Sequence, residues 1–131
     1  MVEFITFHLV SPEKKLASVD AKSVSIPGIE GDITILPNHA DFLTTLRPGV
    51  LKIETSSGIQ EFLVTGGFVE VLGSVSTVLA EKAVMKTDVD KNLFVPFLED
   101  TEGQATIAKD KEKARLDLRL NDLKTISELF N

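Results

Sequence analysis

The chain has 131 residues with 14 basic and 20 acidic side chains, a formal charge of −6. That size suits one domain with a small appendage, and the acidic balance argues against a nucleic-acid footprint, which needs Lys and Arg clustered in excess. Eight Phe come without Tyr or Trp, so the aromatics serve packing, and the absence of Cys excludes disulfides, thiolate zinc sites and cysteine nucleophiles and fits a reducing compartment.

The start, Met1-Val2-Glu3-Phe4-Ile5-Thr6, has neither the basic nor the apolar region of a signal peptide. No apolar run approaches the ~20 residues of a membrane helix. A soluble chain that meets a membrane only through partners is expected. From Phe4 to about Val84 the hydrophobic pattern has period two, interrupted by turn residues every eight to ten positions or so, which predicts an antiparallel sandwich or barrel. Ile5, Phe7 and Leu9 alternate with Thr6 and His8, and Val24 and Ile26 with Ser23 and Ser25. Leu51 and Ile53 continue through a Ser57-Gly58 turn to Phe62 and Val64, and Gly73-Ser74 joins Val69-Glu70-Val71-Leu72 to the strand from Val75 to Leu79. Pro27-Gly28 and Pro48-Gly49 read as further turns, because Pro presets φ at one position and Gly supplies positive φ at the next.

After Val84, Gly and β-branched residues thin out and Lys, Asp, Leu and Ala take over, so a helical tail follows; the division is 1–85 and 86–131. Thr87 with Asp88 and Asp90 predicts a short helix over roughly 88–95, with Pro96 limiting it or kinking a continuation to Glu99. A connection is expected near Asp100 to Gly103. From Gln104 to about Leu129 no Gly or Pro intervenes, predicting a helix of ~26 residues and roughly 39 Å. Leu116, Leu120, Leu123 and Phe130 form its apolar stripe, flanked by Leu118, Ile126 and Leu129, while Lys113 with Asp117 and Arg119 with Asp122 are spaced to pair across a turn. Such a helix is expected to fold into a hairpin or to lie against another protein.

No constellation points to catalysis. Gly28-Ile29-Glu30-Gly31-Asp32 lacks the Lys of a phosphate loop and runs into a strand, so it reads as a turn. His8 and His39 have no metal-ligand spacing, and Thr65-Gly66-Gly67 carries no Ser at its apex. Asp32 and Asp41 are the imaginable carboxylate pair, but acidic loop residues are usually just solvated. Asp88-Val89-Asp90 lacks the Gly and terminal Glu of a calcium loop. The tail bases Lys109, Lys111, Lys113, Arg115, Arg119 and Lys124 alternate with acids, so they are either a solvated face or a docking surface set by geometry alone.

The run Gly31-Asp32-Ile33-Thr34-Ile35-Leu36-Pro37-Asn38-His39-Ala40, followed by Leu46-Arg47-Pro48-Gly49 and Thr65-Gly66-Gly67-Phe68-Val69-Glu70-Val71, resembles the epsilon subunit of the F-type ATP synthase. The likeness runs from Phe4 to about Ala83 and includes Leu9-Val10-Ser11-Pro12-Glu13 and Val78-Leu79-Ala80-Glu81. It implies a mainly β fold, a ten-stranded antiparallel sandwich followed by a C-terminal helical hairpin. The implied role is non-catalytic: a central-stalk rotor subunit that links gamma to the c-ring at the cytoplasmic face of the bacterial inner membrane, without cofactor or metal. The resemblance places ring contacts at Glu30, Gly31 and Asp32 and gamma contacts at Ser11, His39 and Thr44. Regulation of ATP hydrolysis, through tail contacts of Arg115, Leu116, Arg119, Leu120 and Leu123 with the alpha/beta head, is a further expectation. Thr34 and Asn38 stand where the family usually or often has Gly, and Asp41 where it has Pro. The tail reads Val89-Asp90-Lys91-Asn92-Leu93-Phe94 in place of an Ile/Leu-Asp-x-x-Arg-Ala nucleotide motif, so ATP binding is not expected. The competing reading is a free-standing regulatory module that binds a nucleotide or metabolite between sandwich and hairpin.

Overall fold

The computed structural model describes residues 3–89 and 95–128. It divides into two compact units, Met1–Lys86 and Thr87–Asn131. The first holds ten strands: β1 (Ile5–Val10), β2 (Lys15–Ala21), β3 (Ser23–Gly28), β4 (Gly31–Ile35), β5 (Phe42–Leu46), β6 (Gly49–Thr55), β7 (Gly58–Val64), β8 (Gly67–Leu72), β9 (Val75–Ala80) and β10 (Ala83–Met85). They form one sheet in the order β10-β7-β6-β3-β5-β8-β9-β1-β2, with β4 paired to β3. The inward residues make a single core to which every strand contributes, among them Phe7, Leu9, Ile26, Ile35, Leu51, Ile53, Phe62, Val69 and Val78. Because side chains alternate along a strand, the period-two residues of the sequence become the buried side of a sheet closed over itself, a β-sandwich.

Two details depart from the sequence reading. β1 and β9 run parallel, Thr6 to Val10 alongside Val75 to Leu79, while the other strand pairs are antiparallel. A parallel partner is distant in sequence and leaves no local turn signal. Pro27-Gly28 is the end of β3 rather than a turn, and the chain reverses at Ile29-Glu30. Pro27 is held in the sheet because its carbonyl accepts from the Arg47 amide at 2.9 Å while Gly28 pairs with Gly31. β3 also changes partner along its length, pairing with β6 at Ser23 to Ser25 and with β5 at Gly28. A proline that donates no hydrogen bond is tolerated at that changeover.

The second unit contains α1 (Val95–Ile107) and α2 (Asp110–Glu128), packed on each other, and a 3-10 turn at Lys86–Asp88 spans the boundary between the units. The helix expected over 88–95 falls largely on residues outside those described. Pro96 does not limit α1 but lies in its first turn, where its missing N–H has no intrahelical partner to lose. Gly103 is within α1, so the connection expected near Asp100 to Gly103 is helix. The break falls instead at Ala108-Lys109, and Asp110 opens α2 with φ 54°. Asp is one of the few residues other than Gly that enter the left-handed region readily, so this junction needs neither Gly nor Pro. Leu116, Leu123 and Ile126 of α2 are buried, as are Thr101 and Ala105 of α1, so the predicted apolar stripe holds at those three positions of α2, whereas Leu120 is half-exposed and Leu118 exposed; Leu129 and Phe130 lie outside the described residues.

Candidate functional site

The β3–β4 hairpin carries the acidic turn. Its register, Ile26 opposite Ile33, Pro27 opposite Asp32 and Gly28 opposite Gly31, puts Ile29 and Glu30 at the tip. The tip cannot hold a side chain at Gly28, where a Cβ would lie 2.6 Å from the Gly31 carbonyl. Gly31 itself has φ 135°, a conformation open to glycine and rare for other residues. The Ile29 amide donates to the Thr45 carbonyl at 2.9 Å, so the hairpin is pinned to β5 at its very end. Glu30 and Asp32 are exposed, and neither has a hydrogen bond or ion pair among the described residues. Ile29 is 40 % exposed beside them. The result is a rigid, acidic, partly apolar projection suited to contact rather than to chemistry.

Ser11, Thr44 and His39 do not cluster. Ser11 closes the β1–β2 turn, its hydroxyl donating to the Lys14 carbonyl at 3.2 Å. It stands at the same end of the sheet as the hairpin tip, since Val10, Leu79, Phe68 and Thr45 form one row across β1, β9, β8 and β5. His39 precedes β5 at the opposite end. Its Nδ1 lies 2.8 Å from the Ala40 carbonyl oxygen and its ring is tilted against Phe42 at 5.0 Å. Thr44 lies between, half-buried on the same side of β5 as Phe42 and Leu46. The nearby loop explains two substitutions noted in the sequence. Asn38 adopts φ 68°, which Asn tolerates in place of Gly, and its amide donates to Glu3 at 2.6 Å. Asp41 accepts from the Gly73 amide at 2.7 Å and so caps the β8–β9 turn.

Sequence reasoning missed the outer side of β5, β8 and β9. Leu43 is 69 % exposed, and Phe68, Leu72 and Leu79 are each more than half exposed. The signal was present: Phe68-Val69 and Val71-Leu72 are apolar on both faces of β8, where a one-sided strand would alternate. Beside Ser11 this surface deepens into a groove of ≈ 450 Å3 lined by Val10, Pro12, Gly67, Phe68 and Leu79 among others. The groove floor explains Gly67, since a Cβ there would sit 2.1 Å from the Leu79 carbonyl oxygen.

In the helical unit, Arg115 is exposed and paired with Glu112 at 2.5 Å, a hydrogen bond that holds the Glu112 carboxyl below its ordinary range. Lys113 pairs with Asp117 at 3.3 Å, as the spacing predicted. Arg119 and Leu120 are half-exposed, whereas Leu116 and Leu123 are buried. Among the described residues no three His, Asp or Glu side chains gather as metal ligands, and no helix is long and apolar enough to cross a membrane.

Residues 4–86 match the family described as ATP synthase, Delta/Epsilon chain, beta-sandwich domain. The ATP synthase epsilon chain of Fuscovulum blasticum is 42% identical over 122 residues, covering 91% of this chain and 94% of its own. That of Rhodobacter capsulatus is 37% identical over 131 residues, covering 100% of this chain and 99% of its own. Among solved structures, a chain from the Euglena gracilis mitochondrial ATP synthase, in a structure of OSCP, F1 and c-ring, has the same fold, with a TM-score of 0.71 at 19% identity over 98% of this chain and 82% of that one. A chain from the central stalk and c-ring of the Tetrahymena thermophila mitochondrial ATP synthase has a TM-score of 0.60 at 21% identity, covering 96% and 92%.

Proposed function

The chain belongs to the epsilon chains of ATP synthase, and on that premise we propose how it works as a non-catalytic rotor subunit of the central stalk. It has no active site of its own and passes torque between gamma and the proton-driven c-ring. The observation that carries this is the acidic β3–β4 tip, fastened by backbone hydrogen bonds to β5 and through the Arg47 amide to the chain leading into β6. A joint that transmits torque must not bend at its contact. Here the load on Glu30, Gly31 and Asp32 passes into paired strands rather than into a loop.

Glu30 and Asp32 meet the polar loop of the ring. Ser11, Thr44 and His39, spread from one end of the sheet to the other, mark the length of the gamma contact. Four residues of strand separate the two ends, about 13 Å, enough to fix orientation as well as position. The two structural units divide the labour: 1–86 bears the rotor contacts and 87–131 is the regulatory part. Leu116 and Leu123 are buried in the described arrangement, so their contact with the alpha/beta head requires them to be uncovered first, whereas Arg115, Arg119 and Leu120 offer surface without that change. The subunit is peripheral to the membrane and acts at the cytoplasmic face of the bacterial inner membrane. A free-standing regulatory module is not needed to account for the chain.

Replacing Asp32 with Lys tests the joint. The isolated subunit is expected to fold normally, because Asp32 is exposed and has no partner to lose, while ring attachment and proton-coupled synthesis weaken in the assembled enzyme. Full coupling with Asp32→Lys would remove that residue from the contact, and failure of the wild-type chain to co-purify with gamma would remove the stalk assignment.

A further inference from the structure

Residues 36–41 join β4 to β5 outside any strand pairing, and they carry His39. The Leu36 carbonyl accepts from the His39 amide at 3.1 Å, with Pro37 at the second position and Asn38 at φ 68°, the signature of a type II turn. Such a turn closes the loop on itself but does not fasten it to the sheet. Two side chains do that. Asn38 donates to the Glu3 carboxylate ahead of β1 at 2.6 Å, and Asp41 accepts from the Gly73 amide between β8 and β9 at 2.7 Å. Both acceptors are carboxylates, and hydrogen bonds to an ionised acceptor are about twice as strong as neutral ones. His39 stands between the two clasps.

The imidazole has a defined polarity. A carbonyl oxygen only accepts, so the 2.8 Å approach of Nδ1 to the Ala40 oxygen places a proton on Nδ1. On the neutral ring Nε2 then carries a lone pair, and it has no hydrogen-bond partner among the described residues. The tilted contact with Phe42, 5.0 Å between centroids, limits rotation of the ring. We propose that Asn38 and Asp41 are positioning residues that hold His39 so that its Nε2 accepts a hydrogen bond from an N–H or O–H group of gamma. The proposal rests on the gamma contact assigned to His39 above and names its chemistry. Without the clasps this exposed loop would have to be ordered at the moment of binding, and the cost of ordering it would be subtracted from the affinity. With them, the loop is ordered when the subunit folds.

The test joins a double-mutant cycle to NMR of the intact subunit. Binding to the gamma-bearing catalytic head is measured for wild type, Asp41→Ala, Asp41→Asn, His39→Ala and the double variant of Asp41→Ala with His39→Ala. Asp41→Ala should weaken binding about fivefold, and Asp41→Asn, whose side-chain oxygen still accepts from Gly73, should recover most of that loss. In the His39→Ala background the loss from Asp41→Ala should vanish, because nothing is left to position. In the free subunit, with the ring neutral, the ring-nitrogen chemical shifts of His39 should report a protonated Nδ1 and a bare Nε2 in wild type and Asp41→Asn. They should move toward a mixture of tautomers in Asp41→Ala, while thermal unfolding changes little because Asp41 is exposed. An equal loss from Asp41→Ala with and without His39 would make Asp41 a contact or a stability residue in its own right and overturn the positioning role, as would unchanged nitrogen shifts. Wild-type affinity in His39→Ala would remove His39 from the gamma contact and the proposal with it, leaving the stalk reading intact. Absence of wild-type binding would overturn the stalk reading itself.

Discussion

At Gly67 two constraints coincide: φ is 137°, and a Cβ would meet the Leu79 carbonyl oxygen at 2.1 Å and the Ala80 Cα at 3.0 Å. At Gly31 φ is 135° but no atom lies within 4 Å of the added carbon. The space around the two positions ranks them. Gly31→Ala should cost about 1–3 kcal/mol through backbone strain alone. Gly67→Ala should cost more, because β9 must also move away from β8. Thermal unfolding of the two variants checks the order, and equal midpoints would mean that the β8–β9 approach yields easily. Ser76 raises the opposite expectation. Its hydroxyl is fully buried and finds no hydrogen-bond partner among the described residues. An unsatisfied buried hydroxyl costs about 1–3 kcal/mol, so Ser76→Ala should leave stability unchanged or raise it, in contrast to the loss usual for a core truncation. Denaturant midpoints read the sign directly.

The helices show what one conformer of one residue does to an element. Without the left-handed backbone of Asp110, α1 and α2 would be continuous, and the apolar residues of α2 would have to find cover elsewhere. Leu116 and Leu123 are buried as the elements stand, and truncating either to Ala removes about 2–5 kcal/mol of packing. Amide exchange is expected to accelerate across 95–128 in Leu116→Ala while the strands of the first unit stay protected. A charge effect can be read on the exposed side of the same helix. The Arg115 side chain hydrogen-bonds Glu112 and holds its carboxyl low, so this pair favours the folded helix above the unfolded carboxyl's midpoint. That contribution is lost as pH falls through the folded midpoint. In Arg115→Gln the Glu112 titration followed by NMR should move upward toward the ordinary carboxylate value, and an unmoved midpoint would show that the hydrogen bond does not persist in solution.

At the scale of the molecule, the boundary at Lys86 suggests where the chain can be cut. β10 pairs with β7 through Ala83, Val84 and Met85, and Lys86 reaches Glu61 at 3.5 Å, so truncation after Lys86 keeps every strand. The remaining sandwich is expected to fold, join gamma and the ring, and support synthesis. ATP hydrolysis should rise little on removal of the tail and should not respond to added ATP, given the departure at Asn92-Leu93 from the nucleotide motif, a segment outside the described residues. Failure of the truncated chain to assemble, or tight ATP binding by the intact chain in calorimetry, would overturn that division.

The sequence by itself determined which side of each strand is buried, because the period of two in Ile5, Phe7 and Leu9 or Leu51 and Ile53 leaves an apolar strand side one place to go. It also determined the family, since the Gly31 to Ala40 run and the Gly66-Gly67 strand combine into a compound pattern. Tertiary structure alone decided the rest. The parallel β1–β9 pair, the changeover of β3 between β6 and β5 and the cap of Asp41 on Gly73 join residues far apart in the chain, which no local pattern records. The helix break at Ala108-Lys109 is local, yet it turns on a left-handed Asp that composition does not distinguish from a helical one. The exposed apolar side of β5, β8 and β9 emerged only when Leu43, Phe68, Leu72 and Leu79 were set side by side. Exposure depends on what stands opposite a residue in space, and the chain states only what stands next to it in sequence.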